Sequence, residues 1–252
     1  MQVIDCFCGV GPWAKHERIL PSEPGEILQL MDRFHVDRAL VYNNALKMLG
    51  REYDSNGQLV AMTRTSPRLI PAFSILIRPY DKSPTPSAQL EAMRTAGAKA
   101  LWLKVPCTGR LVGSMKAWHI GEWMRLCETH HIPVFMHVEE ETADTVADLC
   151  HEYPALRLIV TGVSYTADYI YYQLLRLHPE LRICTGHMYI QAGNPALFLR
   201  HFQARRLIFG SGLPEFSPGG MIAHVMYADI PDVDKALILG GNIAELIEEV
   251  RL

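Results

Sequence analysis

The residues best suited to chemistry stand at the ends of apolar runs. His137 closes Pro133-Val134-Phe135-Met136, and an imidazole takes or gives a proton near neutrality, so it can serve as general base or acid. Lys104 stands at the end of Ala98 to Val105, and Arg78 follows Leu69 to Ile77; either cation could hold the negative charge of a substrate. Thr161 and His187 end two further runs and could offer hydrogen bonds to a ligand. Each has a plainer reading beside the chemical one. His137 can be a histidine satisfied by polar neighbours, Lys104 can reach solvent from a strand end, and His187 can be a loop residue with no task. Alternation places His137 on one face with Phe135 and Glu139, so it points inward if Phe135 fills an interior.

The elements that must position these groups alternate regularly. Strands are expected at Val3–Gly11, Val36–Asn43, Leu69–Ile77, Ala98–Val105, Pro133–Glu139, Leu156–Val163, Leu181–His187 and Leu207–Ser211. Amphipathic segments separate them; Ile27, Leu30, Met31 and Phe34 follow the i, i+3, i+4, i+7 spacing of a buried helix face. Gly97 is placed to end one helix, Asn194-Pro195 to open another, and Gly240-Gly241 to interrupt the last. Helix-to-strand connections are short, whereas the strand-to-helix segments 12–23, 44–56, 106–118 and 212–220 are long. Eight such units predict an α/β fold, a (β/α)8 TIM barrel forming one domain over residues 1–252, with its binding face at the strand C-termini.

The first strand, Ile4-Asp5-Cys6-Phe7-Cys8-Gly9-Val10-Gly11, resembles the opening Ile-Asp-x-His-x-His-x-Gly strand of the amidohydrolase-related (amidohydrolase-2 type) barrels. Three later segments add to the resemblance: Pro133 to His137, Phe209-Gly210-Ser211-Gly212-Leu213-Pro214, and Gly241-Asn242-Ile243-Ala244-Glu245-Leu246. It implies hydrolase or decarboxylase relatives with a divalent metal at the strand ends, held by two histidines of strand one, one of strand five and an aspartate of strand eight. A strand-six histidine assists. The matching positions here are Phe7, Gly9, His137, Gly212 and Thr161, so only His137 survives. Catalytic zinc takes about three protein ligands, which one imidazole does not supply. No metal centre and no other cofactor is therefore expected. Cys6 and Cys8 flank the lost histidines and thiolates bind zinc well, but alternation points both toward the surrounding helices.

Composition narrows the remaining classes. A net charge of −3 without a basic cluster gives no reason to expect nucleic acid or an anionic membrane as partner. The six cysteines follow no disulfide or zinc-knuckle spacing. With 49% hydrophobic residues but no apolar run long enough to span a bilayer, a cytoplasmic protein is expected. Neither a Gly-x-Ser-x-Gly elbow nor a phosphate-binding glycine fingerprint occurs. The expected activity is hydrolysis of a small carboxylate, lactone or amide with His137 as base; the alternative is a non-catalytic barrel that binds a small molecule or partner. A homo-oligomer is compatible with either.

Overall fold

Residues 1–12, 20–47, 55–75, 84–103, 107–108, 111–112, 115–137 and 143–252 are described in this computed structural model. All eight apolar runs form strands: β1 (Ile4–Val10), β2 (Arg38–Asn43), β3 (Leu69–Ser74), β4 (Ala100–Leu103), β5 (Val134–His137), β6 (Leu158–Thr161), β7 (Arg182–Cys184) and β8 (Leu207–Ile208). Neighbours pair in parallel in that order. The seam between β8 and β1 is bridged by Cys6 N–H to Phe209 O (3.1 Å), Gly212 N–H to Phe7 O (2.8 Å) and Gly9 N–H to Leu213 O (2.7 Å). The result is the TIM barrel that the alternation predicts.

Helices α1 (Pro24–Arg33), α2 (Ser55–Thr63), α3 (Pro86–Ala96), α4 (Ala117–Thr129), α5 (Ala143–Glu152), α6 (Asp168–Leu177), α7 (Asn194–Leu199) and α8 (Pro218–Met226) intervene or follow. Their starts and stops have local causes. Glu26 reaches back to the amides of Ser22 and Glu23 at the head of α1, and Thr85 Oγ1 accepts from Ala88 N–H to cap α3. Gly97 ends α3 in the left-handed region (φ 68°), as its type suggested. Asn194 is not a cap: it is the first helical residue of α7, and its Nδ2 donates to Tyr189 O.

Two apolar layers result. Ile27, Met31, Val41, Phe73, Leu101, Val134 and their neighbours pack strands against helices. Ile4, Cys6, Phe7, Leu40, Tyr42, Ile70, Ala72, Ala100, Trp102, Phe135, Ile159, Cys184 and Ile208 fill the barrel interior. Ile243, Leu246 and Ile247 of α10 (Asn242–Glu248) join that interior layer. The expected interruption at Gly240-Gly241 is absent. Helix α9 (Asp232–Ala236) runs through a π-turn, Leu237–Gly241, into α10. The glycine serves close approach instead, since a β-carbon on Gly240 would lie 2.5 Å from Gln2 O. Among the described residues no helix is long and apolar enough to cross a membrane.

Candidate functional site at the barrel mouth

Strand β1 does not alternate evenly. Its register with β2 shifts between Asp5 and Cys8, a bulge that turns both Cys6 and Phe7 into the interior while Cys8 faces the helices. The expectation for Cys6 is corrected accordingly. Its Sγ lies 3.7 Å from Cys184 Sγ inside the barrel, over Gly210, where any β-carbon would meet both sulfurs. Burial pushes the Cys6 thiol well above its usual pKa, so it is not poised as a thiolate.

The bulge is held by Asp5. Its carboxylate accepts from Phe7 N–H (2.9 Å) and Ser211 N–H (2.9 Å), and the Ser211 hydroxyl donates to it as well. Full burial raises the Asp5 pKa from 3.8 to about 6, opposed by these hydrogen bonds.

Phe7 thereby reaches across the mouth. Its ring centroid lies 5.8 Å from Tyr42, 5.2 Å from Trp102 and 5.8 Å from the His137 imidazole. Trp102 stacks on Phe135 at 5.2 Å and approaches Tyr42 at 4.8 Å. These rings pave the side of the mouth formed by β1, β2, β4 and β5.

His137 ends β5 beside this pavement, partly exposed. Its Nδ1 lies 2.9 Å from Thr161 Oγ1 on β6. The Thr161 hydroxyl in turn donates to Met136 O at 3.5 Å. With the hydroxyl proton turned to Met136 O, Oγ1 would accept from Nδ1–H and the lone pair would fall on Nε2. Gly162 (φ 77°) makes room for the ring: a β-carbon there would lie 2.3 Å from Cε1. Geometry thus joins two of the five sequence candidates, His137 and Thr161. His187 lies in a short 3-10 turn after β7, with its ring stacked on Phe216 at 3.4 Å. Lys104, Arg78 and Glu139 lie outside the described residues. None of the mouth residues lines the outer groove of about 1060 Å³ between α4 and α5.

Of the residues at the expected ligand positions, only His137 carries a side chain that can ligate a metal. Phe7 presents a ring, and Gly212 lies under Phe216, 3.1 Å from where its β-carbon would be. The space over Gly9 holds the carboxamide of Asn44. Among the described residues no three His, Cys, Asp or Glu side chains converge as a metal site would require. Trp102 and Phe216 escaped sequence reasoning, because nothing in an aromatic within or after a strand marks it as facing a mouth.

No family model matches the chain, and no curated protein is similar to it in sequence. Solved structures are similar along the whole length. An uncharacterised TIM-barrel protein from Bordetella bronchiseptica is 16% identical, with a TM-score of 0.72 and 99% of each chain covered. A 2,6-dihydroxybenzoate decarboxylase from Rhizobium is 14% identical, with a TM-score of 0.73, 98% of this chain and 99% of that one covered. A protein described as amidohydrolase II is 13% identical, with a TM-score of 0.72 and coverage of 98% and 100%. At these identities the likeness is one of fold, a (β/α)8 barrel shared along the whole length.

Proposed function

We propose that this barrel hydrolyses a small acyl compound, a carboxylate ester, lactone or amide with a flat apolar body, by proton transfer at His137 Nε2 and without a metal centre. The observation that carries the reading is the His137–Thr161 hydrogen bond, which fixes the ring and leaves Nε2 as the basic nitrogen. The rings of Phe7, Tyr42 and Trp102 offer the flat body a matching wall. A decarboxylase of an aromatic acid among the similar structures is in keeping with such a ligand. Lys104 and Arg78 are assigned to substrate charge on their sequence positions alone.

The test is a screen of small esters, lactones and amides against wild type and His137→Ala. Turnover lost on substitution supports the assignment; turnover that survives removes His137 from it. Elemental analysis of the active protein should find no stoichiometric zinc, manganese or iron, and one equivalent would overturn the metal-free part. A second reading, a binding barrel without catalysis, is favoured by the position of Phe7 against the imidazole. It predicts saturable ligand binding with no turnover in the same screen.

A further inference from the structure

Three polar side-chain atoms around the mouth are buried without a hydrogen-bond partner among the described residues: Asn44 Oδ1, Ser74 Oγ and Trp102 Nε1. The residues are 0%, 1% and 5% exposed. Other atoms of this kind, on Ser55, Gln89 and Asn242, sit on helices. Asn44 opens a short 3-10 turn directly after β2, Ser74 belongs to β3 and Trp102 to β4, and these strands are consecutive in the sheet. Ser74 and Trp102 are register partners. Both face inward, since Ala72 and Ala100, two residues before each, lie in the interior layer while Phe73 and Leu103 lie in the outer one. Asn44 fills the space over Gly9, which is inward because Cys8 and Val10 face the helices.

A buried polar group left unpaired costs its full desolvation, and natural proteins keep few of them. Three on one sector of a barrel mouth describe a missing partner. Their chemistry defines it. Trp102 Nε1–H only donates, and the Ser74 hydroxyl can donate beside it. Asn44 is oriented by its Nδ2–H, which donates to Gly11 O at 3.3 Å, so Oδ1 is an acceptor that awaits a donor. Two donors on register partners and an acceptor after the neighbouring strand share one sector, which matches a group with a carbonyl oxygen and an adjacent N–H. A carboxylate would set its lone pairs against Asn44 Oδ1, and an ester or lactone would leave that atom unpaired.

We propose that Asn44, Ser74 and Trp102 form a subsite for a carboxamide, whose oxygen accepts from Trp102 and Ser74 and whose N–H donates to Asn44. The inference rests on the mouth being the binding site and narrows the acyl compounds considered above to amides. The rings of Phe7 and Tyr42 beside Trp102 make an aryl or other flat amide the fitting class.

The test uses the full chain labelled with 15N at the tryptophan indoles, titrated with benzamide, benzoate and methyl benzoate. The Trp102 Nε1–H resonance is identified by Trp102→Phe, which keeps a ring against Phe135. Benzamide should shift that resonance saturably and bind about tenfold more tightly than either of the others, the worth of one unmade hydrogen bond. Asn44→Ala should weaken benzamide about tenfold and leave methyl benzoate unchanged, because the ester has no N–H to offer. The wild-type titration stands by itself should a variant fail to fold. An unmoved Trp102 signal, equal binding of benzoate, or benzamide binding indifferent to Asn44→Ala would each overturn the subsite. Turnover that depends on His137 with an unmoved Trp102 signal sinks the subsite and spares the catalytic reading. A saturable Trp102 shift without turnover of any amide, ester or lactone does the reverse.

Discussion

The carboxamide of Asn44 stands where a side chain on residue 9 would have to go: a β-carbon there would lie 2.1 Å from Asn44 Oδ1. Asn44 is wholly buried and tied to Gly11 O, so it does not simply swing aside. Gly9→Ala should therefore lower stability by about 1–3 kcal/mol, as overpacking of a filled interior does. Asn44→Ala in the same chain should return part of that loss, a coupling read by denaturant unfolding of the two single variants and the double.

Thr161 should act through the tautomer of His137. With the threonine hydroxyl removed in Thr161→Val, Nδ1–H loses its acceptor, and the population with the lone pair on Nε2 should fall. Nitrogen NMR of the imidazole reads this without a substrate. On any substrate found, turnover should drop about tenfold, the worth of one hydrogen bond, and Thr161→Ser should restore it. A tautomer ratio unchanged in Thr161→Val would contradict the assignment.

Gly162 tests the same geometry from below. Its φ of 77° and the 2.3 Å approach of His137 Cε1 leave no place for a methyl group. Gly162→Ala is expected to cost about 1–3 kcal/mol and to break the His137–Thr161 bond, seen as a loss of the fixed tautomer. Gly97→Ala is the control, since it shares the left-handed backbone but meets nothing within 4 Å. It should pay the backbone strain and leave the imidazole signal alone.

Asp5 makes stability depend on pH. Its folded pKa, raised by burial to about 6, exceeds the unfolded value near 3.8, so the native state holds the proton more tightly. The stabilising contribution is full below about pH 4 and is lost as the pH rises through about 6, on the order of 3 kcal/mol for a shift of this size. Relative to Asp5→Asn, wild type should lose stability between pH 4 and pH 7, measured by urea unfolding across that range. A difference independent of pH would show that the carboxyl does not titrate there.

The sequence carried the barrel because each of its eight units announces itself locally, through an apolar run, a breaker and an amphipathic segment. It carried His137 for the same reason, as the polar end of such a run. What it hid is set by partners far away. The direction of Cys6 depends on a bulge that only the pairing with Ala39 and Val41 and the hold of Ser211 on Asp5 can fix, and Ser211 lies 206 positions from Asp5. Evenly alternating reasoning about β1 had no access to them. Gly240 looked like a helix interruption, yet its small size answers to the backbone of Gln2. The unpaired atoms of Asn44, Ser74 and Trp102 are invisible in one dimension, since being unpaired is a property of surroundings.

Helix α10 places Ile243, Leu246 and Ile247 inside the ring of strands, and Asn242 Nδ2 donates to Ala204 O and Leu207 O beneath β8. A ribosome that has synthesised all eight strands has therefore not yet delivered the stopper for their lower opening. Until residues 242–248 emerge, Ile4 and Ile208 lack the apolar cover of Ile243, Leu246 and Ile247, and the nascent barrel must wait, exposed to proteases and chaperones, for a segment made after its walls.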